Sequence, residues 1–192
     1  MINRSVQCFL TDTYGREKWD AIAASAGLDF AGFEPMLEYD PILTEAVLQA
    51  AAQVLGKPRQ MILEDIGTYL VSHENMQMIR RLLRFGGANF VAFLYSLDEL
   101  PDRARLALPD LDLPALELEE TDTASFTLRV RNGPDGFAYV LMGVLRALAD
   151  DYGALVLLEF DERRGDTETI SIQLAETAFS EGRRFDLRRR TG

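Results

Sequence analysis

Histidine and cysteine are almost missing from this 192-residue chain: His73 and Cys8 each stand alone. One cysteine excludes a disulfide framework and a thiolate metal cluster. One histidine beside it excludes most zinc sites and most Ser/His or Cys/His triads, so no metal is expected. No apolar run approaches the roughly 18 to 20 residues that span a bilayer. The opening Met1-Ile2-Asn3-Arg4-Ser5 leads straight into amphipathic sequence without a signal-type apolar region. The expectation is a cytoplasmic protein with no membrane partner. Basic charge is short as well. A net charge of −11 argues against nucleic acid, whose phosphates need a clustered basic surface. The one basic cluster, Arg183, Arg184, Arg188, Arg189 and Arg190, is terminal and reads as a solvated end. There is no glycine-rich phosphate loop and no nucleophile elbow. Carboxylates are abundant (Asp40, Glu64, Asp65, Asp150, Asp151), but Glu64-Asp65 and Asp150-Asp151 lie on or beside polar helix faces and read as solvated, so no enzyme is expected. Arg164-Gly165-Asp166 reads as part of a strand-connecting turn.

What is present is periodicity. Trp19, Ile22 and Ala23 form a helical stripe that Gly27 closes. Pro41 opens a helix through Leu43, Val47, Ala50, Ala51, Val54 and Leu55 to Gly56. Pro58 starts the next, with Ile62, Ile66, Tyr69 and Leu70 in phase. Shorter helical runs carry Ile79, Leu82 and Leu83, stopped by Gly86-Gly87, and then Phe90, Phe93, Leu94 and Leu97. Pro101 starts a run that ends at Pro109. Beyond Pro114 the period changes to two, with Leu116 and Leu118, then Phe126, Leu128 and Val130. A turn over residues 131–136 delivers the strongest helix, with Phe137, Val140, Leu141, Val144, Leu145 and Leu148 in one stripe, closed by Gly153. Leu155 to Phe160 reads as a buried strand, Asp161 to Asp166 as a polar turn, and Ile170, Ile172 and Leu174 as a last strand. The fold class is α+β: a helical part, then a four-stranded antiparallel sheet with a long helix between strands two and three, and helices on one face.

That layout and a series of ordered residues resemble the heme nitric-oxide/oxygen-binding (H-NOX) domain family over nearly the whole chain. The matching positions are Tyr14-Gly15, Ile66-Gly67 with Thr68-Tyr69-Leu70, the stretch from Phe93 to Leu100, then Pro109, Leu113 and Pro114, and Gly143 in the long helix. The resemblance implies a single domain over 1–192, with a distal helical subdomain over about 1–65 and a proximal helix-plus-sheet subdomain over about 66–192. It implies a pocket lined by Phe9, Leu70, Phe93, Leu97, Leu100, Val140 and Val144.

The family's iron-binding histidine follows the leucine of a Ser-Leu-Asp-x-Leu stretch, and here that position is Pro101. A proline nitrogen within a chain is an amide, with neither a lone pair for a metal nor a hydrogen to donate, so Pro101 cannot be an axial ligand. The family's Tyr-x-Ser-x-Arg motif, which holds the heme propionates, is absent too. Counting back from Gly143 gives Arg131, Gly133 and Asp135, and a shift of one gives Val130, Asn132 and Pro134. The first register puts a carboxylate where a guanidinium should pair with carboxylates. By the same matching His73 falls on the wall opposite the proximal helix, the one imidazole for a substitute ligand.

The leading reading is an H-NOX-like sensory or regulatory module without ordinary His-ligated heme. It would take an apolar or tetrapyrrole-like small ligand, or none, and act on a separate effector such as a cyclase or histidine kinase. No cofactor is expected, although the resemblance itself implies heme. The alternative is a heme-based NO/O2 gas sensor with His73 or another substitute ligand, and a further one is a ligand-free interaction adaptor. An apolar cavity of roughly 300 Å³ or more favours a ligand and a filled interior favours the adaptor.

Overall fold

The computed structural model describes residues 2–34, 37, 39–84, 87–107 and 113–175. Eight α-helices appear in these residues: α1 Ile2–Tyr14, α2 Arg16–Ser25, α3 Pro41–Leu55, α4 Arg59–Ser72, α5 Gln77–Arg84, α6 Phe90–Tyr95, α7 Leu100–Ala107 and α8 Phe137–Tyr152. The strands are β1 Ala115–Asp122, β2 Ser125–Arg131, β3 Val156–Arg164 and β4 Thr167–Leu174. A 3₁₀ turn, Glu74–Met76, joins α4 to α5.

Local chemistry sets the boundaries. The Asp40 carboxylate accepts from the Ile42 amide at 2.9 Å, Pro41 occupies the first helical position, and α3 ends on Gly56 in the left-handed region at φ 63°. Asn89 caps α6 in the same way, accepting from the Ala92 amide at 2.8 Å. Pro109, Gly86 and the C-terminal arginines lie outside the described residues.

The strands form one antiparallel sheet in the order β1-β2-β4-β3, so the two hairpins meet along β2 and β4. Phe126, Leu128 and Val130 of β2, with Ile170 and Ile172 of β4, turn one buried face toward α8. The opposite face is polar, with Arg129 and Arg131 paired to Glu119 and Glu117 across the β1–β2 pair. Two features differ from the sequence expectation. Leu155 to Phe160 is no buried strand, because β3 is an edge: Leu155 and Leu157 are exposed and Leu158 is the buried member. The polar stretch from Asp161 does not turn at once either. Strand pairing carries β3 to Arg164 through an irregularity between Phe160 and Glu162, and the turn is only Gly165-Asp166.

Two apolar cores result. The first joins α1, α2, α3 and most of α4 around Phe9, Leu10, Trp19, Ile22 and Ile62, and it is rich in edge-to-face rings such as Phe9 with Tyr69. The second fills the space between α8, the sheet, α6 and α7 around Phe93, Leu97, Leu128, Leu145 and Ile170. Because α4 supplies Ile62, Ile66 and Tyr69 to the first and Val71 to the second, a division at 65/66 runs through the middle of this helix.

The two cores are held together where α4 crosses α8. Glycine is required on both helices. A methyl group on Gly67 would be driven into the Val140 carbonyl and would stand 2.9 Å from the Val144 nitrogen. One on Gly143 would meet the Glu64 carbonyl and stand 2.9 Å from the Thr68 nitrogen. Each helix therefore lays its backbone directly on the other's. At the edge of this crossing Arg146 pairs with Glu64 at 2.6 Å.

Candidate functional site

A cavity of about 190 Å³ lies beside the α4–α8 crossing, between the two cores; it is smaller than the space of roughly 300 Å³ expected for a ligand pocket, and it is not a filled interior either. Ile2, Ser5 and Val6 of α1 reach it, as do Thr44 and Leu48 of α3 and Leu63, Ile66 and Leu70 of α4. From the other side come Ile79, Leu82 and Leu83 of α5, Leu100 of α7, Leu113, Leu116 of β1, and Phe137, Val140, Leu141 and Val144 of α8. The 134–135 segment closes one edge. Among the described residues the wall is aliphatic apart from Phe137, Pro134 and the polar Ser5, Thr44 and Asp135.

The residues predicted to line a pocket divide. Leu70, Leu100, Val140 and Val144 stand in this wall. Phe9, Phe93 and Leu97 do not. Phe9 lies on the same side of α1 as Ile2, Ser5 and Val6 but about one turn further along the helix, where it packs against Tyr14 and Tyr69 in the first core. Phe93 and Leu97 are buried in the second core, where Phe93 lies 6.2 Å from the Tyr152 ring.

Pro101 is the second residue of α7, half-buried, and its neighbour Leu100 is the one that faces the cavity. The segment before it is firmly held. Asp98 accepts from the Leu118 amide at 2.8 Å, and Arg103 reaches back to the Ser96 carbonyl at 2.9 Å. His73 is the residue that ends α4. Its ring stacks on Tyr69 with centroids 4.5 Å apart, and Nε2 lies 3.9 Å from an Asp12 carboxylate oxygen. That position is in the α1–α4 packing and outside the described cavity wall. Tyr69 donates to Asp12 at 2.6 Å. Burial first, then this bond to a carboxylate, hold the Tyr69 hydroxyl well above its ordinary range. Among the described residues no three His, Cys, Asp or Glu side chains group as metal ligands.

The loop after β2 is built around anions. Val130 is buried on the inner sheet face, and Arg131 is committed to Glu117 at 2.8 Å on the outer one. Asn132 takes the left-handed conformation at φ 57° and donates its amide to the Asp166 carbonyl at 3.1 Å, and Gly133 packs beside Pro114. Asp135 then sits between two guanidiniums: it pairs with Arg163 of β3, while Arg59 at the start of α4 lies 3.6 Å from its carboxylate and donates to its carbonyl at 2.9 Å. Arg59 also holds Glu45 at 2.7 Å. Beneath them Glu168 of β4, 4% exposed, accepts from the Gly136 and Ala138 amides at 2.7 and 2.9 Å. It thus caps α8, whose own N-cap, Gly136, has no side chain to do so.

Arg59, Arg163 and Glu168 were not singled out from the sequence. For Glu168 a signal existed, since it shares the parity of Ile170 and Ile172 and so had to point inward. Arg59 and Arg163 carried none, because only the fold brings residues 59, 135 and 163 together.

The arrangement does not fit a His-ligated heme. No described lining residue is a histidine, cysteine, tyrosine or methionine, Pro101, at the position the resemblance gives to the iron ligand, offers only an amide nitrogen, and the loop offers a carboxylate whose neighbouring cations it already occupies.

Comparison with known proteins gives the context. Residues 1–159 match the family described as Haem-NO-binding, HNOB. Soluble guanylate cyclase gcy-31 of Caenorhabditis elegans is 23% identical over 146 residues, which is 76% of this chain and 21% of the cyclase. Soluble guanylate cyclase 89Db of Drosophila melanogaster is 22% identical over 155 residues, 81% of this chain and 23% of the cyclase. The chain thus spans under a quarter of the length of these relatives. Among solved structures, a point mutant of the T. Tengcongensis H-NOX superposes with a TM-score of 0.73 at 17% identity, covering 93% of this chain and all of that one. The S. oneidensis H-NOX protein in its Fe(II)NO ligation state gives 0.70 at 16% identity, covering 90% and 96%. These neighbours share the fold. With the family matched across most of its length, the chain belongs to the Haem-NO-binding (H-NOX) family of sensor and signalling domains.

Proposed function

We propose that this H-NOX domain signals without His-ligated heme, using the cavity between its two cores as the sensing element. The observation that carries the reading is a joint change beside that cavity: Pro101, next to Leu100 of the wall, where the resemblance places the iron ligand, and Asp135, already paired, where it places a propionate-binding guanidinium. Heme has an axial and a peripheral requirement, and neither is met by the described residues. What remains is an apolar space whose walls come from α1, α3 and α4 on one side and from α5, α7 and α8 on the other. A change in its occupancy would act on the contact between the cores. Both guanylate cyclase relatives are much longer than the region they share with this chain, which supports an effector domain or protein as the recipient of the signal.

The test is the absorbance spectrum and heme content of the full chain expressed with heme precursors. The expected result is no stoichiometric Soret-absorbing species. One equivalent of Soret-absorbing heme per chain would overturn the proposal. If heme is found, His73→Ala decides the substitute-ligand alternative, since unchanged heme content would eliminate that residue.

A further inference from the structure

We infer that the inter-core cavity takes an uncharged, hydrophobic small molecule of about the size of one substituted ring. The inference rests on the reading that this is not a heme site, and it adds the class of ligand.

Size is the first argument. The space is about 190 Å³. An apolar cavity of about 150 Å³ stays dry and takes up benzene, and ordinary drug-sized pockets begin near about 300 Å³. The cavity therefore lies just above the one-ring scale and below that of a larger organic cofactor. Chemistry is the second. Leu63, Ile66, Leu70, Val140, Leu141 and Val144 present only methyl groups, so water there would find few hydrogen-bond partners. The polar side chains at the edge are occupied by the protein itself. Thr44 donates to Asn3, Asp135 is held by Arg59 and Arg163, and Ser5 is likewise engaged. A charged head turned to Thr44 or Asp135 would have to break one of these pairs, and a neutral hydrocarbon would break none. One feature favours the opposite class and sets the control. Arg59, which lies beside Asp135 of the wall, has a buried Nε with no hydrogen-bond partner among the described residues, so a carboxylate ligand has a named donor near that edge.

The probes are toluene and octanoate, titrated into the full chain carrying 13C-labelled Leu, Val and Ile methyls. Toluene is expected to saturate, with intermolecular NOEs to the methyls of Leu70, Val140 and Val144, and octanoate is expected to leave them unshifted. Leu70→Phe, which fills the space, should weaken toluene binding by at least about tenfold. The NOEs on the unaltered chain decide the matter even if that variant does not fold. Absence of saturable toluene NOEs, or NOEs only to exposed leucines such as Leu155 and Leu157, would overturn the inference. So would octanoate binding that Arg59→Ala abolishes, which would assign the site to anionic ligands. A Soret band would defeat the non-heme reading instead, so the two failures are distinguishable.

Discussion

The α4–α8 crossing and the loop from Asn132 to Gly136 border the same cavity and are built on opposite principles. At the crossing two backbones touch through Gly67 and Gly143, with aliphatic side chains on either side. In the loop, position is set by charge, with Asp135 between Arg59 and Arg163 and Glu168 below. The crossing contains the glycines that resemble the family's, and the loop is where the resemblance places the propionate-binding motif that this sequence does not carry. The contrast teaches which link each region serves. The crossing fixes how the two cores meet and so preserves the fold. The loop fixes the chemistry at the rim and holds the first turn of α8 through Glu168.

Substitutions can break that contrast, and the largest effect is expected at the crossing. Gly143→Ala or Gly67→Ala forces a methyl group into a carbonyl that no rotamer can avoid, and each should lower stability by about 3 kcal/mol. A drop in the urea midpoint at constant slope reports it, and an unchanged midpoint would mean the helices part more easily than argued. Next is Glu168→Ala, which strips two buried amides of their acceptor and should cost about 2 kcal/mol.

Tyr69, on α4 in the first core, gives a pH-dependent effect. Its folded-state pKa is raised above the ordinary value near 10, so the folded chain keeps this proton where the unfolded chain loses it. The stability it contributes is complete below about pH 10 and declines as pH rises beyond it. Tyr69→Phe should flatten the alkaline fall in the urea midpoint, and an identical pH profile would refute the assignment. The smallest effect belongs to the rim. Asp135 is largely exposed, so Asp135→Asn should change stability by less than about 1 kcal/mol, and added salt should shrink the difference further. A large loss there would erase the distinction between the two regions.

Much of the fold was legible because period and punctuation agree. Pro41 and Gly56 bound α3, Gly153 ends α8, and the alternation of Phe126, Leu128 and Val130 marks β2. β3 was misread because a run from Leu155 to Phe160 looks the same whether both faces are covered or the strand is an edge. The cavity wall was half legible. Leu70, Leu100, Val140 and Val144 lie on helices whose phase was clear, but Phe9 sits one turn beyond the cavity on α1, and Phe93 and Leu97 are buried inside the second core. The missing Tyr-x-Ser-x-Arg pattern at residues 130–135 is a reading of the sequence alone. The Arg59–Asp135–Arg163 group could not be read there, because those three residues are distant in sequence and nothing local marks them as partners.

Hemin titration of Pro101→His tests the central claim, that the whole site and not one residue has departed from heme binding. With the imidazole restored but the rim and cavity unchanged, the account predicts no saturable Soret band at one equivalent. A stoichiometric, tightly held heme in this single variant would contradict it, and would show that Pro101 alone separates this chain from a conventional heme sensor.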